Sequence, residues 1–390
     1  MSESHGGRRT HDVLIYLPVG DTVVDPRSGP PGGGAQMQMA LLARGLVGLG
    51  ARVAMVAYEL DGKGHTPESI DGVDLVPRAA YQSPVGVRAK LTEASEIYAN
   101  VAAADPGIVV TKCAVPATGL LAAATKLQRR RFVYASASAF DFDYGAMEAK
   151  QRNVALFHLG VRLADQIVVQ NVEQRELCQR RFRRSATVIK SIAEPAEQRT
   201  QEPEAFLWAG RVVGYKRPLE FIQLARVVPE ATFWMVCLPG WGGEGVMREV
   251  RQAARTAPNL ELFDPLPRHE LMRLVERAVA VVNTSDLEGM PNTFIEGWAR
   301  GVPALALAYD PDGLIQRHRM GGFAAGSPQR LASLARQLWE SRQHQEEIAL
   351  RCRRYVLSEH APEIVHSQWF DALGLTLTAR AEEPVMSEDL

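Results

Sequence analysis

Cysteine is scarce in this sequence. The four in 390 residues, Cys113, Cys178, Cys237 and Cys352, lie far apart with no CxxC among them. That excludes thiol-redox motifs and cysteine-ligated zinc, and predicts reduced, partly buried thiols. The nine histidines are scattered, with no HExxH and no pair at helical spacing, so the other common metal pattern is missing too. No apolar run approaches the ~18–20 residues of a membrane span. The N-terminal MSESHGGRRTH lacks the apolar core of a secretory signal, which points to the cytoplasm. Charge is balanced as well. A net charge of −1 argues against a nucleic-acid partner. The local exceptions are RRR at 129–131 and RRFRR at 180–184. They could meet an anionic acceptor or the inner face of a membrane, though solvated helix ends are the plainer reading.

What is present is length and alternation. A chain of 390 residues suits two domains of ordinary size. Short apolar runs such as DVLIYLP (12–18), ARVAMVAY (51–58) and GIVVTKC (107–113) alternate with longer amphipathic stretches such as AQMQMALLARGLVGLG (35–50). Alternation of this kind predicts βαβ units and parallel sheets, an α/β class. IAEPAEQRTQEPEA (192–205) is polar, with two prolines, and reads as a linker. After it the alternation restarts. The predicted organisation is a disordered N-terminus (1–11), an N-terminal domain (12–191), the linker (192–205) and a C-terminal domain (206–360). A final amphipathic segment follows at about 345–373, its last part at 361–377 standing as a separate closing helix, and then a disordered tail (378–390).

Three loops carry the chemistry. PPGGGAQMQ (30–38) sets three glycines before a helix, where bare backbone N–H groups and the helix dipole suit an anion. A dinucleotide fingerprint fits poorly: Glu59 stands where a ribose-binding acid would, but the glycines begin well after the first strand and the third is missing. WAGRVVGYKRP (208–218) ends a strand at Gly210, followed by Arg211 and then Lys216 beside a helix start. A fork-shaped and a point cation at the carboxyl edge of a parallel sheet suit a diphosphate; the plainer alternative is two exposed cations. SDLEGMPNTFIEGWARG (285–301) holds Glu288 in a loop and Glu296 in a helix. Thr293 and Glu296 fit a capping box, a purely structural role; Glu288 has no such explanation.

These residues resemble the GT-B retaining glycosyltransferases of family 4. The likeness rests on GR at 210–211, Lys216, and SDLEGMPNTFIEGWARGVP at 285–303, which looks like that family's Glu-x7-Glu signature. It extends more loosely to the glycine loop at 32–34, to 164–182 and to the closing segment. The resemblance implies two Rossmann-like domains with parallel sheets facing across a cleft, and a closing helix that returns to the N-terminal domain. The C-terminal domain would hold a nucleotide sugar and the N-terminal domain a glycan, lipid-linked or small-molecule acceptor. Arg211 and Lys216 would bind and stabilise the departing diphosphate, with Gly33 and Gly34 near its distal phosphate. Glu296 would take the ribose, and Glu288 the sugar, helped by the N–H groups of Met290, Pro291-linked Asn292 and Thr293. Gly210 and Gly289 complete the donor set, with Arg211, Lys216 and Glu288 as the catalytic residues. No metal or other cofactor is expected. The alternatives are a sugar-nucleotide epimerase or hydrolase on the same fold, or a non-catalytic nucleotide-binding partner in polysaccharide assembly.

The sequence departs from the family in one place. Many members carry a histidine in the N-terminal domain near the reacting sugar. Here the corresponding strands end TKCAVP and YASASAFDFD, leaving Lys112, Ser136, Ser138 and Asp141 as the polar candidates. Asp141-Phe-Asp143 and Asp310-Pro-Asp312 are DxD patterns of the kind that binds a metal in another glycosyltransferase fold, at a frequency chance would supply. Trp208, Trp234 and Trp298 read as core or wall, and Trp241 as a loop residue beside the cleft.

Overall fold

Val13, Leu14 and Ile15 have no exposed surface, because their strand lies between two others with a core on each face. Val13 and Ile15 enter one core and Leu14 the opposite one. A parallel strand covered on both sides reads as an unbroken apolar run, as this one does. The computed structural model describes residues 9–17, 33–58, 69–78, 86–142, 151–194, 196–197, 199–240 and 244–376.

The N-terminal half runs β1 (His11–Ile15), α1 (Gly34–Gly48), β2 (Val53–Tyr58), β3 (Ser69–Ile70), β4 (Val73–Arg78), α2 (Val87–Ala104) and β5 (Pro106–Lys112). It continues α3 (Ala117–Leu127), β6 (Arg131–Ala135), α4 (Gln151–Leu163), β7 (Gln166–Val169), α5 (Val172–Phe182) and β8 (Thr187–Val188). Its eight strands lie in the order β3-β4-β2-β1-β5-β6-β7-β8, parallel except for the β3–β4 pair. The C-terminal half runs β9 (Ala205–Arg211), α6 (Pro218–Val227), β10 (Phe233–Leu238), α7 (Glu244–Ala254), β11 (Leu260–Phe263), α8 (Arg268–Glu276) and β12 (Ala278–Asn283). Then come α9 (Asn292–Ala299), β13 (Ala304–Ala306), α10 (Leu314–His318), β14 (Gly321–Phe323), α11 (Pro328–Glu340), α12 (Glu346–Glu359) and α13 (Pro362–Leu373). Its six strands are ordered β11-β10-β9-β12-β13-β14.

In each sheet the strand order reverses beside the first strand: between β1 and β5 in one, between β9 and β12 in the other. Such switch points open a crevice at the carboxyl ends of the strands, where open α/β sheets take ligands. α13 packs onto the N-terminal domain: Val365, Trp369, Phe370 and Leu373 share a core with Met39, Leu42 and Leu46 of α1. Each such side chain contributes roughly 1.5–3 kcal/mol by burial. His366 lies flat against Gly45, where an added Cβ would stand 2.3 Å from the ring.

Several expected boundaries move. His11 opens β1 rather than closing a disordered tail, and Ala205 opens β9 rather than ending the linker. The closing helix runs Pro362–Leu373 rather than 361–377. His360 ends α12 and Pro362 starts α13, because proline has no N–H to give a helix interior but fits its first turn. The pair β3–β4 and the helix α2 fall in a stretch the apolar pattern left unread. Residues 1–8 and 377–390, and also Gly32, Glu59, Asp143 and Trp241, lie outside the described residues.

Candidate active site

A cleft of about 330 Å³ lies where the two switch points face each other. Gly33, Gly34, Lys112 and Ser138 line it from the N-terminal half, and Gly210, Arg211, Lys216, Glu288, Met290, Pro291, Asn292, Thr293 and Glu296 from the C-terminal half. Of the expected donor residues, Gly289 alone is not in this wall.

Lys216 sits in a 3-10 turn after β9, just before α6. Its ammonium pairs with the Glu288 carboxylate, and Ser285 Oγ donates to the same oxygen at 2.7 Å. Burial works to lower the Lys216 pKa, but Glu288 and Tyr215 outweigh it and hold the ammonium above its ordinary value. The turn is fixed from behind: Thr284 Oγ1 donates to the Lys216 carbonyl at 2.6 Å and accepts from Trp208 Nε1 at 3.1 Å. Trp208 is thus core and wall at once. Glu288 therefore has structural company that the sequence did not reveal.

Glu296 is tied differently from the expected capping box. α9 starts at Asn292 with Pro291 as its cap, and no side chain caps it. Thr293 lies two residues past the cap position, too far into the helix to serve. Instead Arg268 Nη1 donates to Glu296 Oε1 at 2.8 Å, and the same guanidinium bonds Glu194 through Nε at 3.0 Å. Burial opposes the Arg268 charge, but the two carboxylates raise its pKa well above the usual range. Arg268, first residue of α8, also lines the cleft and escaped the sequence reading. Its partners are 28 and 74 residues away, so no local pattern marks it. The one available signal is its place at a helix start after β11.

The uncapped α9 presents its first-turn N–H groups beside the cleft, and α1, capped only by Gly33, does the same from the opposite wall. The two walls nearly touch. Asn292 Nδ2 donates to the Gly34 carbonyl at 3.1 Å. A Cβ on Gly34 would stand 2.4 Å from that nitrogen, and one on Gly33 would stand 2.8 Å from Arg211 Nη2. A side chain at either position would displace Arg211, Gln36 or Asn292 from this approach. Arg211 has no carboxylate partner among the described residues.

Gly289 faces the seam between domains. Its carbonyl accepts from Asn171 Nδ2 and Tyr309 Oη, both at 3.1 Å. An added Cβ would meet Gln170 Oε1 at 2.1 Å and the Ala137 carbonyl at 2.6 Å.

Three of the four DxD carboxylates, those of the described residues, are engaged elsewhere. Asp141, 4% exposed, accepts from Tyr134 Oη at 2.8 Å and the Ala137 N–H at 2.6 Å, with its pKa raised chiefly by burial. Asp310 accepts from the Ile315 N–H at 2.8 Å. Asp312 reaches across the seam to the N–H groups of Val172 and Glu173, at 3.0 and 3.2 Å. Ser136 and Ser138 bond within their own loop. Trp234 and Trp298 are buried, as are Cys178, Cys237 and Cys352; Cys113 is half-buried, and all four cysteines are free thiols.

Residues 33–190 match the family described as Glycosyl transferase 4-like domain, and residues 190–354 the one described as Glycosyl transferases group 1. Glycosyltransferase 1 domain-containing protein 1 of Xenopus tropicalis is 27% identical over 117 residues, 30% of this chain. The match spans about a third of that relative, 34% of its length. Among solved structures, sucrose-phosphate synthase from Thermosynechococcus elongatus aligns with a TM-score of 0.72 and 15% identity, over 93% of this chain and 98% of its own. Anabaena HepE, solved with UDP-glucose, aligns with a TM-score of 0.70 and 15% identity, over 93% of this chain and all of its own (100%). At this identity the likeness establishes the fold, two Rossmann-like domains of the GT-B type.

Proposed function

This chain belongs to the group 1 glycosyltransferases, and we propose that it moves a sugar from a nucleotide-sugar donor to an acceptor held by the N-terminal domain, with retention and without a metal. The observation that carries the reading is convergence. Arg211, Lys216 and the N-termini of α1 and α9 meet in one cleft. A nucleoside diphosphate gathers negative charge as its glycosidic bond breaks. Fixed cations and helix N-termini stabilise that charge with no reorganisation at the moment of reaction. HepE, of the same fold, is solved with UDP-glucose.

In this reading Glu296 and Arg268 flank the ribose, while Glu288 and the Met290–Thr293 turn hold the sugar. The two glutamates do not straddle the scissile bond as acid and base do in a hydrolase. The acceptor hydroxyl attacks from the face on which the diphosphate departs, and its proton passes to the diphosphate. The carboxylates of Asp141, Asp310 and Asp312 are committed to neighbouring donors, which supports a metal-free mechanism.

The test is turnover on a nucleotide-sugar panel. Arg211→Ala lowers kcat by roughly 10²–10³, as loss of one charge-stabilising donor does. EDTA leaves the rate unchanged, and the product keeps the donor's anomeric configuration by NMR. Wild-type turnover in Arg211→Ala would remove the diphosphate assignment, and chelator inhibition reversed by Mn²⁺ would restore a metal.

A further inference from the structure

Most cations lining the cleft have a place in the donor site. Lys216 and Arg268 pair with carboxylates, and Arg211 is assigned to the diphosphate. Lys112 has no such role. It ends β5 at the N-terminal switch point, lines the cleft, and is 5% exposed. Among the described residues its ammonium has no hydrogen bond or ion pair. The nearby Asp141 oxygen Oδ2 already serves Tyr134 and Ala137. An ammonium buried without a partner costs several kcal/mol. Burial accordingly pulls its pKa down, against the pull of Cys113 and Asp141. The backbone just after it is strained too: Cys113 adopts φ +84, a conformation that costs a non-glycine residue about 1–3 kcal/mol. Strain of this kind clusters at ligand sites, and here it is held by the Cys113 N–H on the Ala135 carbonyl at 3.3 Å.

The wall on which Lys112 stands narrows the ligand. The donor diphosphate has its cations on the opposite, C-terminal wall. Lys112 lies on the acceptor's side, at the end of a central strand, within the same cleft as Glu288 and the sugar-holding turn. We propose that Lys112 anchors an anionic group of the acceptor, a phosphate or a carboxylate, so that this enzyme glycosylates a charged sugar or glycan end in preference to a neutral one. The inference rests on the glycosyltransferase reading above.

Three probes of one scaffold test it: glucose 6-phosphate, glucuronate and glucose, titrated calorimetrically into the full chain saturated with nucleoside diphosphate. The wild type binds at least one anionic probe tenfold or more tighter than glucose, and the tighter of the two tells phosphate from carboxylate. Lys112→Gln removes that preference, and Lys112→Arg keeps it within about threefold. Lys112→Gln binds the nucleoside diphosphate as the wild type does, and melts at the same temperature or higher because a buried unpaired charge is gone. Equal affinity for all three probes, or an anion preference that survives in Lys112→Gln, overturns the proposal. So does a tenfold loss of nucleotide affinity, which would move Lys112 to the donor, or a fall in melting temperature, which would give the ammonium a structural partner. If the wild type binds no nucleoside diphosphate at all, the glycosyltransferase reading fails first, and visibly.

Discussion

Glu288 and Glu296 are separated by seven residues and by their partners. Glu288 holds the ammonium of Lys216, so a bound diphosphate must compete with it for that charge. Glu288→Gln should therefore lower turnover by roughly 10², as loss of a transition-state contact does, while nucleoside diphosphate binds as tightly as before or tighter. Glu296→Gln behaves differently. It leaves the half-buried Arg268 with Glu194 alone, so both nucleotide affinity and the urea midpoint should fall. The check is calorimetry and denaturation on both variants; a weakened nucleotide in Glu288→Gln would give that carboxylate to the donor nucleotide instead. At this scale the sequence named residues that the fold gathers at one cleft, but missed their partners. Thr293-x-x-Glu296 has the spacing of a capping box, yet Pro291 caps the helix two residues earlier and Asn292 begins it. The true partner, Arg268, comes from another helix, and sequence spacing carries no trace of it.

Elements were legible where burial was two-sided. β1, β5, β9 and β12 are covered on both faces, so their apolar runs stand out. α2 buries only Glu93, Ile97, Val101 and Ala104, and β3 is two residues long, too little pattern to read. The junction of α12 and α13 yields a prediction of its own. His360 is fully buried there, its Nδ1 2.7 Å from the Ser191 carbonyl, and burial pushes its pKa down to about 4. The folded pKa lies below the unfolded value of about 6.5, so between these limits the unfolded chain takes up a proton that the folded chain refuses. Stability from this group is therefore present above pH 6.5 and is lost as pH falls toward 4, by roughly 3 kcal/mol at most. Urea unfolding at pH 7 and pH 5 should show the loss, and His360→Asn should flatten it. An unchanged slope in the variant would assign the acid sensitivity to carboxylates.

The facing of the two domains was legible only through resemblance, because its contacts join residues far apart in the chain. The first N–H groups of α5 are satisfied across the seam by Asp312, and Asn171, which caps the same helix, also holds the Gly289 carbonyl. The Ala139 N–H donates to the Glu288 carbonyl at 3.3 Å. The turn that carries Glu288 is thus positioned by the N-terminal domain as much as by its own. Gly289 is the tightest point. An added Cβ there, 2.1 Å from Gln170 Oε1, must gain more than about 1 Å to reach ordinary contact, by moving that side chain or parting the seam. Because the Ala137 carbonyl, at 2.6 Å, is backbone and cannot swing away, the seam gives. Gly289→Ala should then enlarge the radius of gyration in X-ray scattering and lower turnover at least tenfold. Gly245→Ala, on α7 with open space around it, should leave both unchanged. If Gly289→Ala kept the wild-type scattering profile but lost activity, the turn itself would have shifted within a closed molecule, and Glu288 would owe its position to the C-terminal domain alone.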